Sequence, residues 1–219
     1  CVKSIVSTDM AYKIAEENGI KLHDVLTGFK FIGEVIKNYE AKGYGSFILG
    51  FEESYGYLKG TYARDKDAVV ASMLICEMTA YYKAKGMTLC DALEGLYARY
   101  GYCYETNVEI YMEGLDGAAR MAAMMDTLRN DPPAVFGGVD VELFGDYKTE
   151  TFTELATGKK IPTGLPKSNV LYFKLVNGDV IVVRPSGTEP KIKFYFLLLG
   201  KDQADVLAKL EGYKKTLEA

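Results

Sequence analysis

The sequence predicts an α/β domain, three-layered with a mixed sheet, followed by an α+β domain with a mainly antiparallel sheet. Three observations carry that prediction. Over the first hundred residues, short β-type runs alternate with helical patterns, as strands and helices layered on one another require. Beyond about residue 103, strands follow one another with few helices between them. Within that second part, Asn177-Gly178 stands between two apolar runs, a strong signal for a two-residue hairpin. The boundaries drawn from these patterns are residues 1–102 and 103–219, a division that 219 residues accommodate.

The elements follow in order. A first strand is read at residues 4–7. Thr8 or Asp9 then caps a helix whose Met10, Ala11, Ile14 and Ala15 share a face, and Asn18-Gly19 stops it. Residues 22–26 form a second strand. Phe31, Ile32, Val35, Ile36 and Tyr39 recur at helical spacing before Lys42-Gly43, and residues 46–49 make a third strand running into Gly50 and a polar loop. Residues 67–85 are apolar almost all round (Val69, Val70, Met73, Leu74, Ile75, Met78), so a central helix covered on several sides is expected. Thr88 and Asp91 open the next helix as a capping box, with Leu89, Leu93, Leu96, Tyr97 and Tyr100 on one stripe, and Tyr100-Gly101 closes the domain. The second domain reads as a strand at 106–111, a helix at 115–128 and a Pro-Pro and Gly-Gly loop. Strands at 139–144, 170–176, 180–184 and 191–199 follow, and a helix at 202–217 ends it. No internal repeat or low-complexity tract interrupts either part.

Composition narrows function. The 26 Lys and Arg against 30 Asp and Glu give a formal charge of −4, so no global field draws in a polyanion, and nucleic acid is not expected as a partner. The longest apolar runs, such as Phe194 to Leu199, are strand-sized, well below the roughly 20 residues that span a bilayer, so no membrane partner is expected either. Four cysteines form no C-x-x-C pair. Cys76 and Cys90 lie among helical apolar residues as small hydrophobes, and a reducing, cytoplasmic setting is read from this. One histidine, His23, and no Cys/His cluster argue against zinc and against a Ser-His-Asp triad. The chain opens Cys-Val-Lys without an initiator Met or a signal-peptide pattern, and is expected to be a piece of a longer protein.

Two loops carry candidate chemistry. Arg184-Pro185-Ser186-Gly187-Thr188-Glu189-Pro190 joins two strands, with Lys191 and Lys193 in phase beyond it. A guanidinium grips phosphate bidentately, hydroxyls donate, and glycine lets backbone N–H groups approach an anion. The same residues also make an ordinary solvated turn. Gly50-Phe51-Glu52-Glu53-Ser54-Tyr55-Gly56-Tyr57 leaves the end of a strand, where open α/β sheets form clefts. A carboxylate beside a serine suits vicinal hydroxyls, and tyrosines suit a sugar's apolar face; solvated surface is the competing reading. Asp65 and Asp67 in Arg64-Asp65-Lys66-Asp67 read as helix caps rather than metal ligands, leaving Arg64 and Lys66 as phosphate candidates. Thr27-Gly28-Phe29-Lys30 adds Lys30 beside a helix N-terminus.

Together the two loops resemble the sugar-binding and phosphate-binding loops of the α-D-phosphohexomutases, in family order, nearest the phosphoglucomutase and phosphopentomutase-like branches. The likeness extends over the whole chain and implies the third and fourth of four domains, the third truncated at its N-terminus. It implies that Glu52 and Ser54 hold sugar hydroxyls and that Arg184, Ser186, Gly187 and Thr188 clamp phosphate, with Lys30, Arg64, Lys66 and Lys193 as secondary basic positions. The family's phosphoserine and its Mg²⁺-binding D-x-D-x-D loop have no counterpart in this sequence, so no catalytic or metal-binding residue is assigned here. Both are expected in N-terminal domains of the same chain. The implied reaction interconverts glucose 1-phosphate and glucose 6-phosphate, with glucose 1,6-bisphosphate as intermediate or activator. Phosphopentomutase, phosphomannomutase and a non-catalytic module that binds sugar phosphates stay open as alternatives.

Overall fold

The computed structural model describes residues 1–43, 45–187 and 189–218. It divides into two compact units, Cys1–Cys103 and Tyr104–Ala219.

The first unit is built on strands β1 (Val2–Ser4), β2 (His23–Val25), β3 (Leu49–Phe51) and β4 (Tyr57–Lys59), in the order β2-β1-β3-β4. β1 runs parallel to both β2 and β3, and β4 returns antiparallel to β3, so the sheet is mixed, as the sequence predicts. Helices α1 (Met10–Glu17), α2 (Phe29–Lys42), α3 (Ala68–Ala84) and α4 (Leu89–Tyr100) complete it. α2 carries the core. Its Phe29, Ile32 and Ile36 fall on one face and pack with Val2, Val25 and Leu58 in a buried cluster. The helix ends at Gly43, whose φ of 66° is the left-handed cap conformation open to glycine.

Several expectations are corrected in this unit. The first strand ends where it was expected to begin. The Ser7 N–H donates to the Ser4 carbonyl at 3.0 Å and turns the chain there, so Ile5 and Val6 are apolar because that turn is buried, not because it is extended. The third strand lies at Leu49–Phe51 rather than 46–49, and the stretch read wholly as polar loop contains β4.

The largest correction is α3. No residue of it is buried, and Val69, Met73 and Ile75 are 71%, 59% and 50% exposed. Val70 and Leu74 are half-covered, while Cys76 on α3 and Cys90 on α4 are exposed rather than core hydrophobes. All-round apolarity therefore exceeds what this unit covers. Two of the expected caps are present: the Asp67 carboxylate accepts from the N–H groups of Val69 and Val70 at 2.8 and 3.2 Å, and Thr88 and Asp91 form a reciprocal capping box on α4. Asp65 instead accepts from the N–H and Nζ of the adjacent Lys66 at 2.8 and 3.0 Å, and Asp9, at the N-cap of α1, makes no side-chain cap bond.

The second unit contains α5 (Gly117–Asn130), α6 (Gln203–Glu218) and a sheet of β5 (Tyr102–Tyr111), β6 (Val135–Phe136), β7 (Val139–Asp146), β8 (Thr151–Glu154), β9 (Lys160–Pro162), β10 (Leu171–Leu175), β11 (Val180–Pro185) and β12 (Lys191–Gly200). The order is β5-β12-β11-β10-β7-β8-β9, with β6 against β7, and the path from β12 to β9 is antiparallel throughout. β6, β8 and β9 were not anticipated.

Val180 to Val183 are buried at four consecutive positions, so both faces of the sheet are covered there. α6 contributes Val206, Leu210 and Tyr213, spaced four and three residues apart on one face. The expected hairpin is present, with Gly178 at φ 87° donating to the Leu175 carbonyl at 2.9 Å. Beside it Asp179 is fully buried and satisfied, accepting from the Leu199 N–H at 2.7 Å and from the Tyr213 hydroxyl at 2.6 Å. Among the described residues no helix is long and apolar enough to cross a membrane.

Candidate functional site

In the second unit, loop 185–190 joins β11 to β12, and the register sets Arg184 directly opposite Lys193. Opposed residues of an antiparallel pair point to the same face. Lys191, two residues before Lys193, shares that face. The loop closes on itself. The Ser186 N–H donates to the Lys191 carbonyl at 2.8 Å, and the Ser186 hydroxyl accepts from the Glu189 N–H at 3.3 Å. Gly187 is exposed and has no heavy atom within 4 Å of where a Cβ would stand. Thr188 lies outside the described residues.

The sequence reading missed Glu109 on β5, beside β12. Its Oε1 pairs with Lys193 Nζ at 2.7 Å, and its Oε2 with Lys191 Nζ at 2.9 Å. Bonds from these lysines and from the Tyr111 hydroxyl hold the Glu109 carboxyl down at about 2. Lys191 is nearly buried and also meets Glu189 at 2.7 Å and the Tyr111 oxygen at 3.1 Å, so its ammonium is held above the ordinary lysine range. The available signal was alternation along β5, which puts Asn107, Glu109 and Tyr111 on one face.

In the first unit, Glu52 lies at the end of β3 and is 7% exposed. Its Oε1 accepts the Gly28 N–H, just ahead of α2, at 2.6 Å. Burial pushes its carboxyl above the usual glutamate range, against the pull of that bond. The Glu52 N–H donates to the Gly56 carbonyl at 2.9 Å and closes loop 52–56. Ser54 is exposed at its tip beside Tyr55, which takes a left-handed φ of 63° and is 88% exposed. Gly56 is closely packed: a Cβ there would stand 3.3 Å from Glu52 Oε2, Lys66 Cδ and the Phe29 ring, and these neighbours would have to yield by a few tenths of an ångström.

The structure therefore brings Glu52, Lys66 and Phe29 together around Gly56, with Ser54 on the same loop. Lys66 Nζ pairs with Asp65 at 3.0 Å and lies 5.8 Å from the Phe29 ring centre. Arg64 turns elsewhere, gripping both oxygens of Glu40 on α2 at 2.6 Å. Lys30 is exposed and lies over the Phe31 ring at 5.0 Å. A further group went unread in the sequence. Lys3, in the middle of β1, is 1% exposed and pairs with Asp9 at 3.0 Å and Asp24 at 3.2 Å.

A mixed α/β unit followed by an antiparallel-sheet unit, each with a polar loop at a strand end, is the architecture of the C-terminal half of phosphosugar mutases. The chain belongs to the phosphoglucomutase/phosphomannomutase family: its alpha/beta/alpha domain III matches residues 1–100 and its C-terminal domain matches residues 141–209. The phosphoglucomutase of Staphylococcus aureus is 38% identical over 211 residues, covering 96% of this chain and 38% of that protein. The phosphoglucomutase of Staphylococcus saprophyticus is 36% identical over 197 residues, covering 90% of this chain and 36% of its own length. Among solved structures, the open form of pp63/parafusin, a phosphoglucomutase from Paramecium, shares the fold with a TM-score of 0.64 at 21% identity, covering 99% of this chain and 36% of that one. The chain thus spans well under half the length of these relatives.

Proposed function

We propose that this chain supplies the sugar-reading and phosphate-reading units of a phosphoglucomutase that interconverts glucose 1-phosphate and glucose 6-phosphate through glucose 1,6-bisphosphate. The observation that supports this most is Arg184 set opposite Lys193 at the mouth of loop 185–190. A planar fork and an ammonium on one face, beside the Ser186 hydroxyl and the Gly187 N–H, form a recognition set for a phosphate dianion. In unit 1, Glu52 Oε2 and the Ser54 hydroxyl are the groups to accept from and donate to sugar hydroxyls. A mutase of this kind presents either end of its bisphosphate to one clamp, which suits recognition by charge and shape rather than by sugar identity. The protein's contribution to phosphoryl transfer is then positioning and electrostatics.

Among the described residues no group of three His, Cys, Asp or Glu side chains could hold a metal ion. Among those residues the Mg²⁺ that the family implies therefore finds no donor set. Transfer itself belongs, on this reading, to the portion of the longer relatives that this chain does not span.

The test is a titration of the isotope-labelled chain, followed by amide NMR, with glucose 1-phosphate, glucose 6-phosphate, mannose 6-phosphate, ribose 5-phosphate and unphosphorylated glucose. All phosphorylated ligands should move the amides of Ser186 and Gly187, and glucose should not. Equal shifts with glucose, or none with any phosphate, would overturn the reading.

A further inference from the structure

Glu109 is placed where a phosphate-binding face has no evident need of an anion. It lies on β5, beside β12, and its two oxygens take both lysines that follow loop 185–190. The lysines are not equivalent. Lys191 has 8% of its side chain exposed and meets three oxygens, on Glu109, Glu189 and Tyr111 at 2.9, 2.7 and 3.1 Å, which matches the three hydrogens of an ammonium. Lys193 has 27% of its side chain exposed, pairs with the other Glu109 oxygen, and faces Arg184 across the strand pair. Any phosphate gripped by Arg184 thus lies on the same face as a lysine already paired to a carboxylate.

We propose that Glu109 is a built-in competitor anion: it holds Lys193 ready at the base of the loop and weakens phosphate binding there, so that a bound phosphate is released readily. The proposal rests on the phosphate reading of loop 185–190 and adds to it how tightly the loop holds. Two like charges near one cation divide its attraction, so the carboxylate reduces what Lys193 offers a dianion. Removing that carboxylate's charge while keeping its shape should tighten binding, whereas a merely structural Glu109 should, when altered, only loosen it. Weak holding suits a site whose occupant must leave and return by its other end. Glu109 is therefore a positioning residue, acting through Lys193.

The experiment measures binding of inorganic phosphate and of glucose 6-phosphate to the whole chain by calorimetry, at fixed salt, with thermal melts of each variant. Glu109→Gln should bind both ligands about three- to thirty-fold more tightly, Glu109→Asp should stay within about two-fold, and Arg184→Ala should bind at least about ten-fold more weakly. In a Lys193→Gln background the gain from Glu109→Gln should largely vanish. Unchanged or weaker binding by Glu109→Gln, with Arg184→Ala still impaired, overturns the role of Glu109 and leaves the phosphate reading standing. No binding by the unaltered chain, or no effect of Arg184→Ala, overturns both. Should Glu109→Gln fail to fold, lysine Nζ NMR signals of the unaltered chain decide. Phosphate should move the Lys193 signal and leave that of Lys191 in place, and the reverse result, or movement of neither, overturns the proposal.

Discussion

At the scale of single residues, Glu52 shows how burial couples a candidate binding group to the fold. Its carboxylate closes on the Gly28 N–H at 2.6 Å, yet burial raises its proton affinity above that of an ordinary glutamate. The folded state then holds the Glu52 proton more tightly than the unfolded chain does. Its contribution to stability is fully present below the unfolded pKa and is lost as pH rises through the folded one. Glu52→Gln keeps an oxygen for Gly28 and removes the charge. The melting temperature of Glu52→Gln should match that of the unaltered chain at about pH 3.5, below the ordinary glutamate value, and exceed it at about pH 8. A lower value at about pH 8 would mean that the ionised bond to Gly28 outweighs burial. Loop 50–57 was legible as a sugar-binding candidate from residue types alone, but the tie to Gly28 was not, because a contact across 24 residues leaves no local pattern. Arg64 illustrates the same limit: its charge is evident in sequence, but its partner Glu40 is a product of packing.

At the scale of elements, legibility follows how far a local rule decides the outcome. The capping box at Thr88, the stop at Gly43 and the hairpin at Asn177-Gly178 are settled by bonds among near neighbours, and all three occur where the sequence places them. β8 and β9 were missed because Thr151 to Glu154 and Lys160 to Pro162 are half-exposed or exposed, so they lack the apolar run that marks a buried strand. α3 failed in the opposite way. Apolar periodicity reports what a helix can bury, not what its own unit covers. Ile75 at 50% exposure and Met73 at 59% should therefore tolerate charge. Ile75→Glu and Met73→Lys are expected to leave the unfolding free energy within about 0.5 kcal/mol of the unaltered chain, with lower self-association by light scattering. A loss of about 2 kcal/mol or more in denaturant titrations would show these side chains to be covered in the folded chain.

At the scale of the whole molecule, the chain pairs a unit whose loop offers a carboxylate and a hydroxyl with one whose loop offers a guanidinium and an ammonium. Its match to S. aureus phosphoglucomutase extends over 96% of this chain but only 38% of that protein. On the proposed reading, recognition lies here and phosphoryl transfer in the portion of the relatives that this chain does not span. Recognition needs only fixed donors and charges, whereas transfer also needs a group that takes up the phosphoryl and returns it. The chain supplied with glucose 1-phosphate, Mg²⁺ and glucose 1,6-bisphosphate should therefore form no glucose 6-phosphate above a protein-free blank in a coupled dehydrogenase assay, under conditions where it binds the phosphosugar. Turnover above the blank would place the transferring group among these 219 residues. The two loop serines, Ser54 and Ser186, would then be the first positions to search for a trapped phosphate by mass spectrometry. Binding without turnover, followed by recovery of activity when the remaining portion of a relative is added, would fix the separation directly.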